Sequence, residues 1–397
     1  PYLGHGYDFF YATIFSYLLL VFCSGLITRK EDQAIAKIFL AVFSLFSFFI
    51  LHGLLVFIVH GEAYRELYEF SRYSTLFLFT CCLFTVWRSK NVINIFIVFL
   101  LFAGCINLSL WAAENAGFYL HRPIFALTDR YEDIKYWRFP GLWGSPNHSA
   151  LLSSSSILLL GCYAFFGKGS LKRRMLSASL IPTLVLPILE AKSRTALISL
   201  TLSGLMIFFI ASKYRYRLIF PILAVFMALC LTFFNNGQQL FSIFLMGRGF
   251  SSVNARLEHW NLNFFGYFQS KSVNEFLFGS IVTELRVYDN SYFFLLDTLG
   301  VIGGVLYLSF FLAALIRTKR LIGYTEKYYP EELYKYLFVF GILALAFSAS
   351  VAVTVFAIPR LEILIFGLAA GSWATSFGHV GVDSTNYRQG DRCRGEQ

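Results

Sequence analysis

Two arginines far apart in the chain, Arg194 in AKSRTAL and Arg256 in NARLEHW, are of the residue type that best grips a diphosphate. A guanidinium offers paired donors in a fixed fork, which lysine copies poorly. Asp289 stands in DNSY, where a polar stretch gives way to an apolar run. A carboxylate there can accept a proton from an attacking hydroxyl. Beside arginines it stays ionised, a weak base that suffices only when well oriented. Each residue also has a plainer explanation. Arg194 opens an apolar run and can snorkel to lipid headgroups. Arg256 can be a solvated surface charge. Asp289 or Asn290 can cap the first turn of the helix that follows. Glu258 and His259 are adjacent, and helix neighbours do not share a face, so they are not expected to pair as acid and base. His148, in GSPNHSA, follows a Pro-Asn helix start with no partner visible in the sequence. There is no glycine-rich nucleotide loop after a strand, no HExxH and no DxD. The expectation is a site without metal or cofactor, and a donor that is not a sugar nucleotide.

The elements that must position these residues are helices in lipid. The 397 residues are 57% hydrophobic and 19% aromatic, with 14% charged, where a soluble domain carries about 25% charge. Apolar runs of about 18 to 25 residues recur, each long enough to cross hydrocarbon. The alternating ten-residue segments of a barrel do not occur. The expected fold is therefore all-α, a polytopic integral membrane protein with about 11 spans. These are roughly 8–27, 38–59, 73–87, 92–111, 148–166, 175–189, 195–211, 218–234, 290–316, 334–358 and 360–377. Residues 1–377 read as one membrane domain without internal repeats. The connector 321–335 is polar with a helix-like end, and 378–397 is a polar, mobile tail. Six of the seven cysteines lie within apolar runs and read as small packing residues.

Twenty of the 33 Lys and Arg fall in one alternate set of loops, among them Lys168, Lys172, Arg173, Arg174, Arg317, Lys319 and Arg320. Those loops are cytoplasmic by the positive-inside rule, so the net charge of +10 calls for no nucleic acid. Two long polar loops, 112–147 and 235–289, then face outward. Residue 1 faces outward as well, which leads us to expect a further helix before Pro1. Outward cations are the exceptions to the rule: Arg122, Arg130, Lys135 and Arg138 in the first loop, Lys192 and Arg194 in a short turn, Arg248, Arg256, Lys271 and Arg286 in the second loop. Arginine on the disfavoured side needs a reason, and a polyanionic ligand supplies one.

Several stretches, taken in order, resemble the bacterial O-antigen polymerases and O-antigen ligases. They are RFPGLWGSPNHSA (138–150), AKSRTAL (191–197), ARLEHW (255–260), and FLFGS followed by DNSYFFLLDTLGVIGG (276–304). The resemblance implies a metal-independent glycosyltransferase of the bacterial inner membrane, with its site facing the periplasm. Its donor would be an oligosaccharide on undecaprenyl pyrophosphate, its surroundings membrane lipids, and its partners a flippase and a chain-length regulator. Arg194 and Arg256 match the family's pyrophosphate-binding arginines, with Arg138 and Asn290 as further ligand-binding candidates and Asp289 as the catalytic one. Ligases carry His-Asn where this chain has Asp289-Asn290, which favours a polymerase over a ligase transferring to lipid A-core or protein. A transporter without chemistry is the alternative from another class. It is disfavoured because the charges gather in loops and leave the spans nearly charge-free.

Overall fold

Four consecutive serines, Ser153 to Ser156, are all buried. Successive helical residues point about 100° apart, so burial of four in a row means that their helix is enclosed on every side. The computed structural model describes residues 90–118, 139, 141, 142, 145–211, 258, 260, 261, 272–279, 290–351, 365, 368 and 369. Of these, 86% are helical and none is in a strand. The helices are α1 Lys90–Asn115, α2 Pro146–Phe166, α3 Leu171–Glu190, α4 Arg194–Ile210, α5 Val273–Phe278, α6 Ser291–Tyr328 and α7 Leu333–Ala349. The enclosed helix is α2, which packs against α1, α3, α4 and α7.

Among the described residues, three segments are long and apolar enough to cross a membrane: Ile93–Asn115, Pro146–Phe166 and Leu299–Tyr328. The helices α4 and α7 are apolar but shorter, at 17 residues each. α3 opens on Lys172, Arg173 and Arg174 and carries Pro182 and Pro187 inside it. The expected spans 92–111, 148–166, 175–189, 195–211, 290–316 and the part of 334–358 up to Val351 fall on these helices, with shifted bounds, while 352–358 lies outside the described residues. α6 runs on through Arg317, Lys319 and Arg320 into the stretch read as a polar connector, and α7 stops at Ala349. The spans expected at 8–27, 38–59, 73–87 and 218–234 lie outside the described residues. So do the tail and most of 360–377.

Local chemistry explains why α2 tolerates its serines. Ser154 and Ser155 donate to the carbonyls of Ala150 and Leu151, at 2.9 and 2.8 Å. Ser156 donates to Leu152 and, across the interface, to Leu100 of α1, each at 3.3 Å. No hydroxyl of these three is left dry, as burial in a membrane helix demands. Gly104 of α1 faces Ser156 so closely that a Cβ there would meet the serine side chain. Small residues on both sides let the two backbones approach. At the end of α2, the Arg174 guanidinium donates to the carbonyls of Ala164 and Phe165. A cation there complements the last orphan carbonyls of the helix.

α6 is not the single rod that the run 290–316 suggests. Gly300 has φ 65° and ψ −175°, which interrupts the helix. A Cβ added at Gly304 would lie 3.9 Å from the carbonyl oxygen of Leu295. In a straight helix nine residues span about 13.5 Å. The arm 291–299 therefore folds back against the start of the long segment beyond Gly300. A second pair of contacts agrees. The Tyr292 hydroxyl donates to the Phe347 carbonyl at 2.7 Å, and the Phe311 ring lies 6.5 Å from the Phe347 ring. The φ/ψ pair at 300 suits glycine alone. A Cβ there would also strike the backbone of Leu277 and Gly279, so the end of α5 rests on the apex of the fold-back.

Candidate functional site at one end of the bundle

Two contacts fix one end of the bundle. Tyr163 of α2 meets Tyr334 of α7 edge-on at 5.2 Å, and Lys168 stands 4.0 Å from Glu331. From that level α2 and α7 both run toward the opposite end. Asn147 is sixteen residues from Tyr163, and Ser350 sixteen residues from Tyr334. Each lies about 24 Å along its helix. The start of α2 and the end of α7 therefore share one end, and the candidate residues that the structure describes gather there.

Arg194 is the first residue of α4. The cap before it is Ser193, buried, whose hydroxyl accepts from the Ala196 amide at 3.4 Å and donates to the Asn147 side chain at 3.0 Å. That pair ties the start of α4 to the start of α2. The turn that delivers Arg194 requires Lys192 at φ 49°, a left-handed conformation uncommon outside glycine, asparagine and aspartate. Lys192 is exposed and Arg194 half-buried. Both cations stand at the positive end of the α4 dipole. A cation there costs about 0.3–1 kcal/mol where an anion would gain as much.

The RFPGLWG stretch closes over the same end. The Phe139 amide donates to the last carbonyl of α3, that of Glu190, at 3.2 Å. The Leu142 amide donates to the Asn107 side chain at 3.0 Å. Asn107, fully buried in α1, in turn donates to the Ser153 hydroxyl at 2.9 Å and the Ser149 carbonyl at 3.3 Å. Gly141, at φ 57°, passes so close to Asn107 and Ser149 that no side chain would fit. One asparagine thus joins α1, α2 and the crossing segment.

Asn290 sits where α6 begins and α7 ends. Its Oδ1 accepts from the amides of Tyr292 and Phe293, at 2.9 and 3.2 Å, and its Nδ2 donates to the Val351 carbonyl at 3.0 Å. The Ser291 amide donates to the Ser350 carbonyl at 2.9 Å. Asn290 takes the capping role that the sequence shared between Asp289 and Asn290, and both halves of its amide are engaged. Asp289, Arg138 and Arg256 lie outside the described residues.

The ARLEHW stretch is seen at Glu258 and Trp260. Trp260 stands edge-on to Phe293 of the α6 arm, with centroids 5.2 Å apart and planes at 87°. Glu258 and Asn261 beside it are exposed. The structure also brings forward two residues that the sequence reading passed over. Asn107 is the one amide in the interior of its apolar run, Asn94 standing near the start, and Asp297 is a buried acid within the run read as a nearly charge-free span. A polar residue alone in a long apolar run was the available signal for both. Among the described residues no cluster of three His, Cys, Asp or Glu is placed to hold a metal ion. No family model, curated protein or solved structure matches the chain.

Proposed function

We propose that the chain is a repeat-unit polymerase of the O-antigen type. It is a single integral domain of about eleven spans in a bacterial inner membrane, with loops 112–147 and 235–289 on the periplasmic side. It moves a glycan from undecaprenyl pyrophosphate to the terminal sugar of a lipid-linked repeat unit. The observation that supports this reading most is the shared end. Arg194 and Lys192, held at the positive start of α4 by the Ser193–Asn147 contact, lie at the same end as Asn290, next in sequence to Asp289. A diphosphate relieves the electrostatic cost of those cations.

In the reaction, the acceptor hydroxyl oxygen attacks the anomeric carbon of the donor. The bond from that carbon to the phosphate oxygen breaks, and the bonding pair leaves with the lipid pyrophosphate. Arg194 and Arg256 stabilise the charge that develops on that leaving group. Asp289 takes the hydroxyl proton, with Asn290 fixing the start of the helix behind it. Arg138, next in sequence to Phe139, supplies further positive charge.

The test is glycan lengthening in membranes supplied with the lipid-linked repeat unit. Arg194→Ala and Arg256→Ala should each lower the rate about 100-fold or more, with activity retained in chelator. Full activity in both variants ends the proposal. A deletion strain separates the acceptor classes: single lipid-linked units accumulate for a polymerase, long lipid-linked chains for a ligase.

A further inference from the structure

The face of the α6 arm that Trp260 covers also carries Asp297. Phe293 and Asp297 are four residues apart on the arm and so lie on one helical face. Asp297 is 2% exposed. The indole N–H of Trp260 is buried and has no hydrogen-bond partner among the described residues. A buried donor left without a partner is destabilising, so a ligand that accepts from it gains. A buried carboxylate is retained only where neighbours or function hold it there. Asp297 already interacts with its surroundings, yet a carboxylate has about four acceptor positions and can take a further donor. Glu258 and Asn261, which flank Trp260 in the sequence, are exposed, and Trp260 itself is half-buried. The apex at Gly300, one turn beyond Asp297, is held by the backbone of Leu277 and Gly279.

We propose that Trp260 and Asp297 form a subsite for a neutral sugar. One ring hydroxyl would accept from the indole N–H and donate to the carboxylate, while the indole and the Phe293 ring take the apolar C–H face. A diphosphate fits badly here, because the carboxylate repels it. It fits the cationic start of α4, which offers the opposite chemistry. The proposal rests on the polymerase reading in one respect: it assigns this subsite to the acceptor sugar and leaves Arg194 to the donor.

The experiment uses the full chain in detergent and an array of free neutral bacterial oligosaccharides of two to six sugars. The wild-type protein should retain at least one of them. Trp260→Phe, which keeps a ring against Phe293 and removes only the N–H, should weaken that binding about 5- to 10-fold. Asp297→Asn should weaken it at least as much, and Arg194→Ala should leave it unchanged. If Asp297→Asn fails to fold, Trp260→Phe decides alone. No sugar retained, or equal binding by wild type and Trp260→Phe, overturns the subsite. Sugar binding lost in Trp260→Phe while the wild type lengthens no glycan upholds the subsite and removes the polymerase reading. Lengthening with an unchanged acceptor KM in Trp260→Phe removes the subsite and leaves the polymerase standing.

Discussion

α2 and α6 both bury polar residues, and they do so in opposite ways. The hydroxyls of Ser154 and Ser155 turn back to carbonyls four residues earlier in their own helix. The amide of Asn290 reaches to another helix, α7, and Asp297 lies on an arm that exists only because the helix breaks at Gly300. Local closure of a hydrogen bond lets a polar residue sit in a core without specifying anything beyond it. Bonds that cross between elements fix where those elements stand. The difference teaches that Ser154 and Ser155 of α2 are packing, while Asn290 and Tyr292 at the start of α6 set position.

The largest expected effect comes from removing the arm's apex. Gly300→Ala puts a Cβ into a conformation reserved for glycine and into the backbone of Leu277 and Gly279. We predict a loss of roughly 3 kcal/mol or more. Unfolding in mixed micelles of lipid and SDS measures it. A stability equal to wild type would mean that the arm does not fold back.

Asn107→Leu should follow, because it removes three cross-element hydrogen bonds and leaves the Leu142 amide unpaired. The expected loss is about 2–3 kcal/mol, read in the same micelles. Ser154→Ala should have the smallest effect, within about 0.5 kcal/mol, because among the described residues its hydroxyl bonds to a carbonyl of its own helix alone. A loss as large as that of Asn107→Leu would erase the distinction between bonds closed within one helix and bonds that cross between elements.

These contrasts also show what the sequence makes legible. The starts of α2 and α4 are readable because Pro146 stands at a first helical position and Ser193 at a cap. The placement of Arg194 at a helix start followed from the apolar run that it opens. The fold-back of α6 did not, because hydropathy runs unbroken from Tyr292 past Gly304 and does not say which glycine turns. Gly303 and Gly304 stay within the helix, and Gly300 leaves it. The choice lies in what touches each glycine, namely the end of α5, and a sequence pattern carries no such contact. The sequence left Asp289 and Asn290 equal as caps, and the difference appears only through the Val351 carbonyl, which takes the second half of the asparagine amide.

The enclosure of α2 bears on how the protein is assembled. Of the three long apolar segments, α2 has the lowest mean hydropathy, 1.6 against 2.3 for the other two, and the largest enclosed share, 78% against 33% and 44%. Its serines make it the poorest of the three at entering lipid unaided. Its neighbours supply the partners that lipid cannot, so α2 is the last of the three expected to leave the insertion machinery alone, and the first expected to leave it in company.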